Sequence, residues 1–347
     1  MLIIFLIVLA LIWLIFAVVS DLRTREIPNW LNFSLIIFAL GARFFYDLSN
    51  LPEFSINSFY VILLLVLAPF LVFIQLSSSF KSLKKEIAFF ASISLFFIIV
   101  IYFNYASLTF NRLILDSGFI YSYQGIFGLM AFFLLANILY FSRFFAGGDA
   151  KLMMALGPVI PLGIGFLGNV NLFLNFLFLL LIVRLAYDLI CILYLGFRDS
   201  DKIHKEFYKN LKANKKFIYM FIIFGVLFII LGFFERLLFI PGILIFILPY
   251  LYFYTKAIEN TSLIEKVGSK EITEGDWLYK DVKVGNMIIE ANWNGLSKNE
   301  ISLIRKKHKF VMIKRGIQFG PGFLIIFLIF IYLYFNGIDL WNSLWQP

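Results

Sequence analysis

Residues 1–19 carry no charge, and uncharged runs of 17 or more residues recur through to the end of the chain. A run of that length crosses the roughly 30 Å hydrocarbon layer of a bilayer as a helix. Inside hydrocarbon every backbone N–H and C=O needs a partner within the protein, which excludes open strands. The chain is 62% hydrophobic, its mean hydropathy is +0.92, and phenylalanine occurs 45 times. These constraints indicate an all-α polytopic membrane protein of about ten transmembrane helices, read at 1–19, 30–46, 57–76, 86–105, 122–142, 150–168, 170–195, 217–234, 237–255 and 317–336.

Charge orients these spans. Alternate connections hold 26 of the 30 lysines and arginines, while Arg43, Arg112 and Arg236 fall on the other side and Arg184 lies within a span. By the positive-inside rule the basic side is cytoplasmic and the N-terminus is outside. The first apolar run is expected to stay in place, because its basic flank, Arg23 and Arg25, follows it and no small-residue cleavage site is present. The net charge of +9 is then a topology signal with attraction for anionic membrane lipids, not a nucleic-acid footprint. Cys191 is the only cysteine, which excludes an intrachain disulfide, and His204 and His308 are far apart. No metal site and no cofactor is expected.

The chain reads as a membrane domain over 1–255, a small cytoplasmic α+β domain over 256–316, and a last transmembrane helix with a short tail over 317–347. Within the first part, 198–216 is a basic amphipathic connector with Ile203, Phe207 and Leu211 four residues apart, expected to lie on headgroups. In the second, Trp277-Leu278-Tyr279 and Met287-Ile288-Ile289 suggest strands, with turns at Gly275 and Gly285. Ser297 and Glu300 form a capping box for a helix to about Lys307, after which Phe310 to Ile313 returns as a strand.

Two acids stand beside the apolar runs. Asp21 opens Asp21-Leu22-Arg23-Thr24-Arg25-Glu26-Ile27-Pro28-Asn29, and Asp149 closes Ala146-Gly147-Gly148-Asp149 just before Lys151. An ionisable residue near lipid is costly and raises a functional question. Spans one and five run in the same direction, so both acids fall at the cytoplasmic boundary. Two carboxylates held close share one proton, so one can draw a proton from water while the other donates to a scissile carbonyl. That chemistry needs no metal, cysteine or histidine. Helix polarity favours Asp149 as the base, near a helix N-terminus, and Asp21 as the proton carrier, near a C-terminus. Gly147 and Gly148 would allow tight turns or close approach, and Pro28 would start the second span. Lys151 would orient a carboxylate or reach for the surface. Arg184 and Asp188, i and i+4, read as an intrahelical pair.

Asp21 with Arg23 and Ile27-Pro28-Asn29, followed by Gly147-Gly148-Asp149-Ala150-Lys151, resembles the type IV prepilin peptidases, including the archaeal preflagellin peptidases, among the GxGD membrane aspartyl proteases. The resemblance extends to Glu274-Gly275-Asp276-Trp277, Gly295-Leu296-Ser297 and Gly316-Ile317-Gln318-Phe319-Gly320-Pro321. It implies that Asp21 and Asp149 are a catalytic dyad, with Gly147, Gly148, Lys151, Arg23, Pro28 and Asn29 shaping the site. The implied activity is removal of short basic leader peptides from prepilin-like or preflagellin precursors at the cytoplasmic face, before the hydrophobic helix. This chain departs from the family at Ala146, the first position of the GxGD pattern, at Gln318, where relatives tend to have proline, and in its additional spans. The cysteine-rich insertion linked to N-methylation in bacterial relatives is absent, so no methyltransferase activity is expected. The alternatives are a presenilin or signal-peptide-peptidase type of protease, for which Tyr46-Asp47 would be the first acid, and a cation transporter or membrane scaffold.

Overall fold

The computed structural model describes residues 1–50, 120–163, 166–285, 287–292 and 295–343. The spans read at 57–76 and 86–105 lie outside the described residues. The rest forms two compact units, Met1–Leu185 with Gln318–Pro347, and Ala186–Ile317. The division falls inside one long helix.

In the first unit, α1 (Leu2–Thr24) and α2 (Asn29–Ser49) pack together, and α3 (Ile120–Phe141) packs on α2. Leu6, Ala10, Leu14 and Ala17 of α1 are fully buried, a helical stripe of spacing three to four, while Phe5, Ile12 and Phe16 are exposed. A helix apolar all round, with one stripe packed inward, suits a lipid surround. α1 ends where Arg25 takes a left-handed conformation, φ 59°, and its N–H bonds to the Asp21 carbonyl at 2.8 Å.

The span expected at 150–168 is a break. Helix α4 (Gly147–Leu156) is ten residues long and gives way to a buried turn through Gly157–Pro161. Pro158 and Pro161 remove two N–H donors and cannot continue the ladder. Irregular backbone is tolerated at membrane depth only where protein satisfies it. Here Arg43 of α2, 1% exposed, does so. Its guanidinium donates to the carbonyls of Pro158 at 2.7 Å, Val159 at 3.2 Å, Pro161 at 2.5 Å and Tyr121 at 3.2 Å. Gly128 of α3 and Gly157 let the two backbones touch, since a Cβ at Gly128 would lie 2.3 Å from the Gly157 carbonyl oxygen.

Helix α5 (Phe166–Arg198) then runs for 33 residues and belongs to the first unit up to Leu185. Helix α10 (Gly320–Phe335), 16 residues, packs on α1 and buries Phe323, Ile326, Phe327 and Phe330, and the short α11 (Leu340–Ser343) follows it.

In the second unit, α6 (Ser200–Ala213) leads into α7 (Lys215–Gly232), which pairs with α8 (Phe239–Glu259). The face of α6 read as resting on headgroups is turned into the protein instead. Ile203 is fully buried against Leu195, Ala257 and Ile258, with Phe207 alongside. Lys202, Lys205, Lys209 and Lys212 occupy the exposed opposite side. Ile203→Ala should therefore lower stability by about 2–5 kcal/mol. The check is thermal unfolding of the full chain in detergent, with faster proteolysis at 198–216 as the accompanying sign.

The remainder of this unit is a small α+β layer. Strands β1 (Ile264–Gly268), β5 (Phe310–Lys314) and β2 (Trp277–Leu278) form an antiparallel sheet in the order β1-β5-β2, with Val267 opposite Val311. β3 (Val282–Val284) and β4 (Met287–Ile289) form a separate hairpin, turning at Gly285 with φ 64°. Helix α9 (Lys298–Lys307) starts at the expected capping box, and its Ile301 and Ile304 join Leu278, Val284, Ile289 and Val311 in one core. β1 and β3 were not legible in the sequence, because Glu265-Lys266 and Lys283 interrupt their apolar pattern.

Six helices among the described residues are long and apolar enough to cross a membrane, namely α1, α2, α3, α5, α7 and the segment Arg236–Glu259 that contains α8. They support a multi-pass membrane protein. Of the other four expected spans, 150–168 is broken, α10 is shorter than a full span, and 57–76 and 86–105 lie outside the described residues.

Candidate active site around Asp21 and Asp149

Both acids are buried, Asp21 at 7% exposure in the last turn of α1 and Asp149 at 6% in the first turn of α4. The segment after Asp21 packs on the helix that carries Asp149. Ile27 lies against Gly148, and Lys151 Nζ donates to Asn29 Oδ1 at 2.7 Å. Lys151 thus ties α4 to the start of α2. Pro28 is the N-cap of α2, in extended conformation with ψ 138°, and its carbonyl accepts from Leu31 at 3.1 Å.

Gly147 and Gly148 form no tight turn. They are the first residues of α4, neither has positive φ, and a Cβ at either would meet nothing closer than 3.6 Å. Ala146 is the N-cap, extended at φ −72° and ψ 162°, a conformation any residue adopts. Alanine there therefore costs the backbone nothing. Arg23 lies in the last turn of α1 and is exposed.

The contacts to the two acids come from residues remote in sequence. The Gly320 N–H donates to Asp21 Oδ2 at 2.9 Å, and the Gln318 side-chain amide donates to the Asp21 backbone carbonyl. Gly320 is required by space, since a Cβ would stand 2.6 Å from Asp21 Oδ2. Arg184 of α5 reaches Asp149 Oδ2 at 3.6 Å, and its guanidinium lies 4.3 Å from the centre of the Phe319 ring. Phe144 and Phe145 flank the same guanidinium at 5.8 and 5.9 Å. The adjacent residues Phe319 and Gly320 therefore touch the surroundings of both acids. The i, i+4 spacing points Arg184 to Asp188, and nothing local in the sequence points it to Asp149 as well. Gln318 is the residue that holds the Asp21 carbonyl.

Gly320→Val should displace the Asp21 carboxyl and lower stability by about 1–3 kcal/mol, the usual cost of overpacking a close contact. Its check is thermal unfolding of the full chain in detergent, and a wild-type midpoint would refute the close packing.

Asp47 has a different place. Its Oδ2 accepts the Ser122 N–H and the Ser122 hydroxyl, both at 2.6 Å, and its Oδ1 accepts the Tyr121 N–H at 3.3 Å. It satisfies the start of α3, which a helix N-terminus requires. That is a structural duty for Asp47. Among the described residues no group of three or more His, Cys, Asp or Glu side chains could hold a metal ion.

No known protein family, curated protein or solved structure matches the chain.

Proposed function

We propose that the protein is a membrane aspartyl endopeptidase in which Asp21 and Asp149 activate water to remove the basic leader peptide from prepilin-like or preflagellin precursors. The observation that carries this reading is the convergence on Phe319 and Gly320. One residue bonds to Asp21 and its neighbour lies under the cation that pairs with Asp149. Buried carboxylates are expensive unless they are paired or bonded, and a carboxylate pair is the minimum machinery for acid–base hydrolysis without metal. Asp149 is assigned as the base, because Arg184 and the N-terminus of α4 both stabilise negative charge there. Asp21 is assigned as the proton donor to the scissile carbonyl. On collapse of the tetrahedral diol, Asp149 gives its proton to the leaving amine while ionised Asp21 takes one back from a diol hydroxyl, which returns the pair to its starting state.

In this reading both acids lie at the cytoplasmic face, the N-terminus is outside, and the 256–316 domain is cytoplasmic. The partners are the precursor proteins and surrounding membrane lipids, with the lysines of α6 facing anionic headgroups. A pilin-type precursor is the favoured substrate over an archaellin type. The test is a panel of full-length precursors of both kinds, incubated with the chain in proteoliposomes. The expected product begins just before the hydrophobic helix and carries no N-methyl group. Intact precursors throughout the panel would overturn the proposal.

A further inference from the structure

Arg184 is a half-buried cation in a region where an ionised group must be accounted for. Its side chain is 14% exposed, and Asp149 is its ion-pair partner at 3.6 Å. Three aromatic rings surround the guanidinium, from Phe144 and Phe145 before α4 and from Phe319 before α10. The closest, Phe319, is itself wedged against Phe145 and Phe323, with ring centres 6.3 and 5.3 Å away. The guanidinium thus has aromatic rings and the Asp149 carboxylate among its neighbours. A flat cation on a ring face gains roughly 0.5–2 kcal/mol, more where water is excluded, and arginine suits such sites because its planar group stacks while still facing a carboxylate.

What lies on either side of Phe319 gives this stack its meaning. Gln318 bonds to the backbone carbonyl of Asp21 and Gly320 bonds to its carboxylate. The three consecutive residues Gln318, Phe319 and Gly320 therefore hold the Asp21 end and, through Arg184, the Asp149 end. A water-activating pair depends on the separation of its oxygens, and an error of about 1 Å can cost a hundredfold in rate.

We propose that Arg184, seated on Phe319, is the positioning residue that sets the Asp149 carboxylate relative to Asp21, so that docking of the Gln318–Gly320 segment assembles the dyad. The inference rests on the peptidase reading above. Arg184 does not touch substrate in this account. It orients the base, so its loss lowers turnover and leaves substrate binding in place.

The test uses the full chain in proteoliposomes and a prepilin-type precursor, with kcat and KM measured separately. Arg184→Gln is expected to lower kcat by about a hundredfold, with KM changed by less than about twofold. Arg184→Lys restores a cation over the ring and should recover kcat to within about tenfold of wild type, although lysine lacks the planar group. Phe319→Leu keeps the ion pair but removes the ring face, and should lower kcat with KM unchanged. Wild-type kcat in Arg184→Gln would overturn the proposal. So would equal damage in the Gln and Lys variants together with a parallel fall in melting temperature, the pattern of a purely structural cation. Should Arg184→Gln not accumulate, unchanged kcat in Phe319→Leu overturns it. Asp21→Asn and Asp149→Asn run alongside as the separate control. Cutting retained in those removes the dyad, whereas loss there with no effect at Arg184 removes only the positioning role.

Discussion

Asp21→Asn and Asp149→Asn should each abolish precursor cleavage while leaving the protein in the membrane at normal levels. General acid–base groups typically contribute 10²- to 10⁴-fold each. A pair that works as one unit loses nearly everything when either member goes, so the double variant should be no worse than the single ones. Asparagine preserves volume and can still accept the Gly320 N–H bond at position 21, which keeps the fold out of the comparison. At position 149 the change also removes the carboxylate charge 3.6 Å from Arg184, so a modest loss of thermal stability should accompany the lost activity. Asp47→Asn serves as the contrast. It should weaken the start of α3, where Ser122 and Tyr121 rely on it, and leave a measurable rate. Dead enzyme at position 47 with activity intact at 21 would move the chemistry to the wrong end of α2 and end the present assignment.

Arg43→Met should be the most destabilising single change in the first unit. The substitution leaves carbonyls of Tyr121, Pro158, Val159 and Pro161 without that donor and leaves Asp47 buried without its neighbouring cation. Breaking a buried charged network by removing one partner typically costs about 3–5 kcal/mol. Methionine fills much of the space, so the loss reports polar satisfaction more than a cavity. Thermal unfolding of the full chain in detergent measures it, and a shift indistinguishable from that of an exposed arginine such as Arg23 would refute the role. Because the turn through Gly157–Pro161 lies one short helix from Asp149, a surviving Arg43→Met protein should also lose activity.

The legibility of this chain follows the range of the interactions. Helix α1 was readable because nineteen uncharged residues satisfy their own backbone and need no distant partner. The capping box at Ser297 and Glu300 and the Gly285 turn were readable for the same reason, since cap and turn chemistry closes within three or four residues. The break after Leu156 was not, although both prolines were in view. An apolar stretch of that length reads as a span until a donor from another helix, here Arg43, hydrogen-bonds to its carbonyls. β1 and β3 were missed because their partners and core supply what their mixed sequences lack.

The same division runs through the candidate site. Asp21, Asp149, Asn29 and Lys151 stood out from residue type and placement, and the role of the last two emerged only when the fold joined them. Gly147 and Gly148 drew attention as flexible residues and turned out to be helical. The i, i+4 spacing of Arg184 and Asp188 is a local signal, whereas the ion pair of Arg184 with Asp149 depends on how the fold brings residues of α4 and α5 together. The amino-acid sequence alone determined that this chain has helices apolar enough to cross a membrane, where its apolar runs lie, and which two acids stand beside them. Only the tertiary structure decided that Gln318, Phe319 and Gly320 meet the surroundings of both acids, because hydrogen bonds between groups 299 residues apart have no local signature and exist only once the helices have packed.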